Sequence, residues 1–155
     1  MFKLNFKPFK KSNETYIWKV YTKAMKPHIE NIWGWDLEWQ KNNFKNALAE
    51  FKTEIIEFEN KKIGYVQYLI SSKSLYINML ILEPHFQSQG IGARIINKII
   101  SVNPELPIEL RCFRVNNEAL NFYLNNGFEI VNQDNEFYTL TKYIITARDN
   151  QMVIL

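Results

Sequence analysis

Gln87-Ser88-Gln89-Gly90-Ile91-Gly92 stands directly after the apolar run Leu75 to Leu82 and directly before a helical pattern from Ala93 to about Val102. A strand that feeds a glycine-bearing turn and then a helix N-terminus makes an anion site. The turn's N–H groups and the first unpaired N–H groups of the helix converge on one spot, with the helix dipole behind them. A side chain at Gly90 or Gly92 would keep a pyrophosphate from reaching the backbone. The stretch therefore predicts a phosphate-bearing cofactor.

Upstream, Leu4 and Phe6 (with Phe2) suggest a first strand over 3–9, and Ser12 a helix cap. Ile17, Val20, Tyr21 and Ala24 share one helical face, and Pro27 predicts a break or kink before a short piece, Ile29 to Trp33. Asp36 caps a second helix to about Glu50, with Leu37, Phe44 and Leu48 on its apolar side. Period two then takes over: Glu54 to Glu59 and Ile63 to Ile70 form a hairpin around Asn60-Lys61, and Tyr76 to Leu82 a central strand. Downstream, Ile91, Ile95, Ile96, Ile99 and Ile100 stripe a helix, and Ile108, Leu110 and Cys112 alternate as a strand. Asn116 caps a last helix with Val115 and Leu120 as a hydrophobic staple; Gly127 and Phe128 stop it. A hairpin from Phe128 to Val131 and from Phe137 to Ile145, across Asn132 to Asn135, closes the chain. The order is mixed α/β with antiparallel hairpins. It argues against a dinucleotide fold, in which the glycine turn follows the first strand.

The two glycine positions share this chain with a second pattern. Asn116-Asn117-Glu118-Ala119-Leu120-Asn121-Phe122-Tyr123-Leu124-Asn125-Asn126-Gly127-Phe128 resembles the second motif, N-x-x-A-x-x-F-Y-x-x-x-G-F, of the GNAT acyltransferase superfamily. Gln87-x-x-Gly90-x-Gly92 resembles that superfamily's acetyl-CoA signature, and the element order is similar over roughly residues 2–145. The resemblance implies a GNAT-like fold: a mixed, mostly antiparallel sheet of about seven strands flanked by about four helices, in one domain over residues 1–155. It implies an acetyl-CoA-dependent N-acetyltransferase acting on a primary amine, on a small molecule or a peptide. The backbone N–H groups of Gln89, Gly90, Ile91, Gly92 and Ala93, beside Gln87 and Ser88, would cradle the CoA pyrophosphate. Leu80, Ile81 and Leu82 would pair with the pantetheine amides on a strand splayed from 108–113. Asn116 would hydrogen-bond the pantetheine arm, and Tyr123 would be the general acid.

The chemistry asks for few groups. A neutral amine attacks the thioester carbonyl, an oxyanion forms and is stabilised by a backbone N–H, and a thiolate leaves with a proton from a well-placed phenol. A base must keep the amine neutral. His28, Glu30, Asp36, Glu38, Glu54 and Glu83 all qualify by type. His28, in the expected helix break, is favoured because histidine titrates near neutrality; an exposed cap histidine is the plainer reading. Tyr123 also fits a core position, and His85 a loop. Trp33 and Trp35, with Trp39, either wall an acceptor pocket or pack helices. Cys112 reads as a small inward-facing hydrophobe rather than a nucleophile.

Composition bounds the remaining readings. At 155 residues, 46% hydrophobic and 23% charged, the chain can bury a core. Its net charge of +3 is spread along the chain, which argues against nucleic acid. The single cysteine excludes an internal disulfide and fits a reducing compartment. No signal peptide or membrane-length apolar run is seen, so the chain reads as cytoplasmic, without a membrane partner. The abundance of Lys, Asn and Ile points to an AT-rich, bacterial genome. No metal is expected. The apolar ending Met152-Val153-Ile154-Leu155 fits a covered sheet edge or a homodimer contact. A non-catalytic acyl-CoA sensor or protein-interaction module on the same fold is the alternative.

Overall fold

The computed structural model describes residues 3–144; Phe2, Ile145 and the apolar ending, and what the sequence predicts for them, lie outside the described residues. Seven strands form one sheet in the order β1-β2-β3-β4-β5-β7-β6, with four α-helices among the described residues. They are β1 (Leu4–Pro8), α1 (Glu14–Trp33), α2 (Leu37–Glu50), β2 (Lys52–Phe58), β3 (Lys61–Ile70), β4 (Leu75–Leu82), α3 (Ile91–Val102), β5 (Ile108–Phe113), α4 (Asn117–Asn125), β6 (Glu129–Gln133) and β7 (Phe137–Lys142). The expected mixed, mostly antiparallel sheet is present: β4 and β5 run parallel, while β1–β2, β2–β3, β5–β7 and β6–β7 are antiparallel.

The chain divides into two compact units, one holding the segments up to Tyr68 and from Asn78 to Gly92, the other Leu69 to Ile77 and Ala93 onward. In the first, Ile17, Ile55, Ile56, Ile63, Tyr65 and Val66 are fully buried. Each such aliphatic side chain is worth about 1.5–3 kcal/mol relative to exposure. The β2–β3 hairpin turns at Glu59-Asn60, one residue earlier than expected, because both adopt positive φ (54° and 64°), as a two-residue primed turn demands. The Glu59 side chain accepts from the Lys3 N–H at 3.0 Å, which ties the turn to the start of β1.

Three local expectations are corrected here. Ser12 lies in a 3-10 turn, Lys11–Asn13, and α1 begins at Glu14 after Asn13. Leu37, in the first turn of α2, is exposed, while Gln40 and Phe44 are buried. Pro27 does not break the helix: α1 runs unbroken from Glu14 to Trp33. Proline removes the N–H that would bond the Lys23 carbonyl and costs about 3 kcal/mol in a helix interior. The buried stripe of Ile17, Val20, Tyr21 and Ile29 lies on both sides of it and offsets that cost. Pro27→Ala is therefore expected to stabilise the protein by about 1–2 kcal/mol. The restored hydrogen bond outweighs the freer unfolded chain. A rise in melting temperature of a few degrees checks this; a fall would mean that the proline ring packs productively.

In the second unit, Leu75, Ile77, Ile95, Ile96, Ile99, Ile108, Leu110, Phe128 and Leu140 are buried. The β4–β5 ladder has its rungs at Leu75–Ile108, Tyr76–Glu109 and Ile77–Leu110. Asn116 caps α4 as expected, its Oδ1 accepting from the Ala119 N–H at 3.1 Å. Gly127, at φ 86°, ends the helix, and the Phe128 N–H returns to the Tyr123 carbonyl at 3.0 Å. Val115 is 44% exposed rather than stapled. β6 runs on to Gln133, and the closing turn falls at Asp134, whose Oδ1 accepts from the Glu136 and Phe137 N–H groups.

Candidate active site

In the first unit, the segment after β4 is built to hold its main chain open. Pro84–Phe86 forms a single 3-10 turn with proline at its start, where a missing N–H costs nothing. The side chains of the next two glutamines fold inward. Gln87 Nε2 donates to the Leu82 carbonyl at 2.8 Å, and Gln89 Nε2 donates to the His85 carbonyl at 2.6 Å. Ser88 and Gly90 have positive φ, 60° and 78°. A Cβ added at Gly90 would point into open space. The N–H groups of Ser88 and Gly90 donate to no backbone partner among the described residues. α3 starts at Ile91, so Ile91 and Gly92 lie inside its first turn rather than ahead of it. There their N–H groups have no intrahelical partner.

The preceding strand shows which of its polar groups are committed. The Glu83 N–H donates to the Ile63 carbonyl at 2.7 Å. A Cβ built on Gly64 would fall on the Ile81 carbonyl oxygen and lie 3.0 Å from the Ile81 carbonyl carbon and the Leu82 Cα. Ile81 and Glu83 thus present their main-chain groups towards β3. Strand alternation turns those of Leu80 and Leu82 to the other edge of β4. The Leu82 carbonyl is taken by Gln87, which leaves the Leu80 groups and the Leu82 N–H. Gly64 is the site-shaping residue that sequence reasoning missed. A glycine inside a strand pattern signals a bulge or close backbone approach, and the β2–β3 register shifts beside it, between Ile56 and Glu57.

Several other candidates of this unit are engaged within the protein. His28 is half-buried within the continuous α1, so the helix break that favoured it is absent. Asp36 caps α2 through the Trp39 N–H. Glu54 accepts a short hydrogen bond from the Tyr68 hydroxyl, and Glu83 accepts from the Tyr16 hydroxyl at 2.8 Å. Trp35 packs 6.3 Å from Trp18 and 6.4 Å from Tyr21, with Lys26 over its ring. Trp33 and Trp39 are more than half exposed. A groove of about 620 Å³ runs along α1 between Thr22 and Asn31, lined by neither His28 nor Trp33.

In the second unit, Tyr123 is 8% exposed, with its ring edge-on to Phe122 and Phe128. Burial, with a smaller contribution from Cys112, pushes its phenol well above the ordinary value, so it is protonated across the neutral range. Burial also pushes the Cys112 thiol up to about 11, which keeps it from acting as a nucleophilic thiolate. Since the Asn116 oxygen caps α4, its Nδ2 amide is the group left for a ligand. Among the described residues no cluster of three or more His, Cys, Asp or Glu side chains could hold a metal, and no helix is long and apolar enough to cross a membrane.

Residues 50–130 match the acetyltransferase (GNAT) domain family. The fold is similar to that of an acetyltransferase from Thermus thermophilus, with a TM-score of 0.73 at 12% identity over 90% of this chain and 96% of that one. It is similar to PaiA N-acetyltransferase from Thermoplasma acidophilum, solved in complex with coenzyme A, with a TM-score of 0.68 at 16% identity, covering 90% and 98%. Naa50 from Arabidopsis thaliana, in complex with the bisubstrate analogue CoA-Ac-MVNAL, gives 0.65 at 16% identity, covering 90% and 97%.

Proposed function

Because the chain belongs to the GNAT acetyltransferase family, we propose that it moves an acetyl group from acetyl-CoA directly to a primary amine, with Tyr123 as the general acid. When bound, acetyl-CoA supplies an activated acyl thioester. The observation that carries this reading is the turn at Gly90. Its positive φ, the open space on its Cβ side and the uncommitted N–H groups of Ser88 and Gly90 suit a phosphate-bearing group held against backbone. Gln87 and Gln89 stiffen the turn, and the N–H groups of Ile91, Gly92 and Ala93 extend the cradle into α3. The Leu80 main chain and the Leu82 N–H bind amides as a neighbouring strand would, and Asn116 Nδ2 donates to the same arm. Tyr123, buried and protonated, donates to the departing sulfur. The acceptor class is a small-molecule or peptide amine, a reading supported by the peptide-bearing analogue bound to one structural relative.

Melting temperature measured with acetyl-CoA, CoA, ATP and NAD in parallel tests the assignment. A ligand at about 100 times its Kd adds about 2.7 kcal/mol, or several degrees for a chain of this size. A shift with acetyl-CoA and CoA alone is expected; no shift with either would end the reading. Gly90→Glu is expected to abolish the shift. It places a carboxylate in the cradle and a side chain on a residue whose φ disfavours one. Unchanged acetyl-CoA affinity in titration calorimetry would remove the turn from the cofactor site.

A further inference from the structure

We propose that Asn78 holds the acceptor's amino group through its side-chain oxygen, and that the buried Gln67 sets it for that task; this rests on the acetyltransferase reading above. A chain of side-chain hydrogen bonds crosses three strands of the first unit. Thr53 of β2 stands directly opposite Gln67 of β3. Gln67 Nε2 donates to Thr53 Oγ1 at 3.2 Å, and Gln67 Oε1 accepts from Asn78 Nδ2 of β4 at 3.1 Å. Gln67 is 1% exposed and Thr53 6%, whereas Asn78 is half-buried. The bond to Gln67 fixes which way the Asn78 amide faces. Its N–H end turns inward, and its Oδ1 accepts from no described residue. Ile63, Tyr65 and Val66, beside Gln67 in β3, are fully buried. An amide buried among them gains little stability over an apolar side chain of the same size. What Gln67 adds is the orientation that a satisfied buried network imposes on its members.

β4 carries this amide in line with the groups assigned to the cofactor. From the turn at Gly90 the strand runs back through the Leu82 N–H and the Leu80 main chain to Asn78. Asn78 shares a face with Leu80 and lies about 7 Å further along, at the rise of a strand. The β4–β5 ladder reaches Ile77–Leu110, and Asn78 is the next residue of β4. A cofactor laid along these groups with its pyrophosphate at the turn points its acyl end towards Asn78. An amide oxygen there accepts one N–H of a neutral primary amine and leaves the lone pair free for the acyl carbon. The bond from nitrogen to that carbon forms as the bond from carbon to sulfur breaks. Nitrogen loses one proton to solvent, sulfur gains one from Tyr123, and Tyr123 regains one from solvent. Asn78 itself takes no proton, so it selects a hydrogen-bond donor without titrating.

Asn78→Leu keeps the size of the side chain and removes its oxygen. With spermidine, tryptamine and a short peptide bearing a free N-terminus as probes, read by thiol release, kcat/KM for whichever probes the wild type acetylates is expected to fall about tenfold. The acetyl-CoA affinity should stay at the wild-type value, and Asn78→Asp, which keeps an oxygen for the acceptor, should recover most of the rate. Gln67→Met frees the Asn78 amide to turn and should raise the KM for the amine while leaving that for acetyl-CoA unchanged. Added to Asn78→Leu it should cost no further rate, because the group it positions is already gone. Additive losses in that double variant would overturn the positioning role of Gln67. Wild-type kcat/KM in Asn78→Leu, or an equal loss of acetyl-CoA affinity, would overturn the assignment of Asn78 while leaving the acetyltransferase reading intact. Failure of the wild type to bind acetyl-CoA or to acetylate any probe would overturn that reading, and this inference with it.

Discussion

Gly64→Ala is expected to destabilise the protein by about 3 kcal/mol or more, at the upper end for overpacking. The added methyl meets the Ile81 carbonyl and the Leu82 Cα, which are backbone. A crowded side chain can change rotamer, but this stretch of β4 is fixed by the Glu83 N–H bond to Ile63 and by the Gln87 clamp on Leu82. Relief therefore requires shifting the segment that carries Leu80 and Leu82. The variant should lose melting temperature and, where still folded, bind acetyl-CoA more weakly. The buried Val66 supplies a control: Val66→Ala leaves a small cavity instead of adding an atom against β4 and should cost stability alone. If Gly64→Ala melts like the wild type, the close approach of β3 and β4 does not exist.

Why Gly64 escaped sequence reading, while Gly90 did not, lies in where their constraints come from. Gly90 and Gly127 act within a few residues: a turn before a helix, a stop after one. Their chemistry is written in adjacent letters, as are the caps at Asp36 and Asn116. Gly64 is constrained by Ile81, a partner that only strand pairing brings near. Pro27 shows the converse. Its local rule predicts a break or kink, yet the helix is unbroken, and burial of Ile29 together with Ile17 and Tyr21 outweighs a single lost hydrogen bond. Leu37 fails for a related reason, since periodicity names an apolar face without saying whether anything covers it.

Tyr123→Phe is expected to lower kcat by about 10²–10⁴-fold with little change in acetyl-CoA affinity. Phenylalanine keeps the ring that packs against Phe122 and Phe128, so the fold of α4 and its stop at Gly127 should survive. Burial makes the phenol a weaker acid than in water, which by itself would slow proton donation. A departing thiolate beside this phenol would enter the same low-dielectric surroundings, which would raise its proton affinity as well. What matters is the difference between the two, and that difference survives burial when donor and acceptor share an environment. The same variant carries a pH signature independent of turnover. The native phenol holds its proton above pH 10.0, where the unfolded chain loses it. Its contribution is thus fully present below that pH and is lost as pH rises, by about 1.4 kcal/mol per unit. Comparison of urea midpoints at pH 9 and pH 11 should show the wild type losing more stability than Tyr123→Phe. A shallow kcat effect with this alkaline difference intact would make Tyr123 a buried core residue and leave the leaving group to be protonated by water.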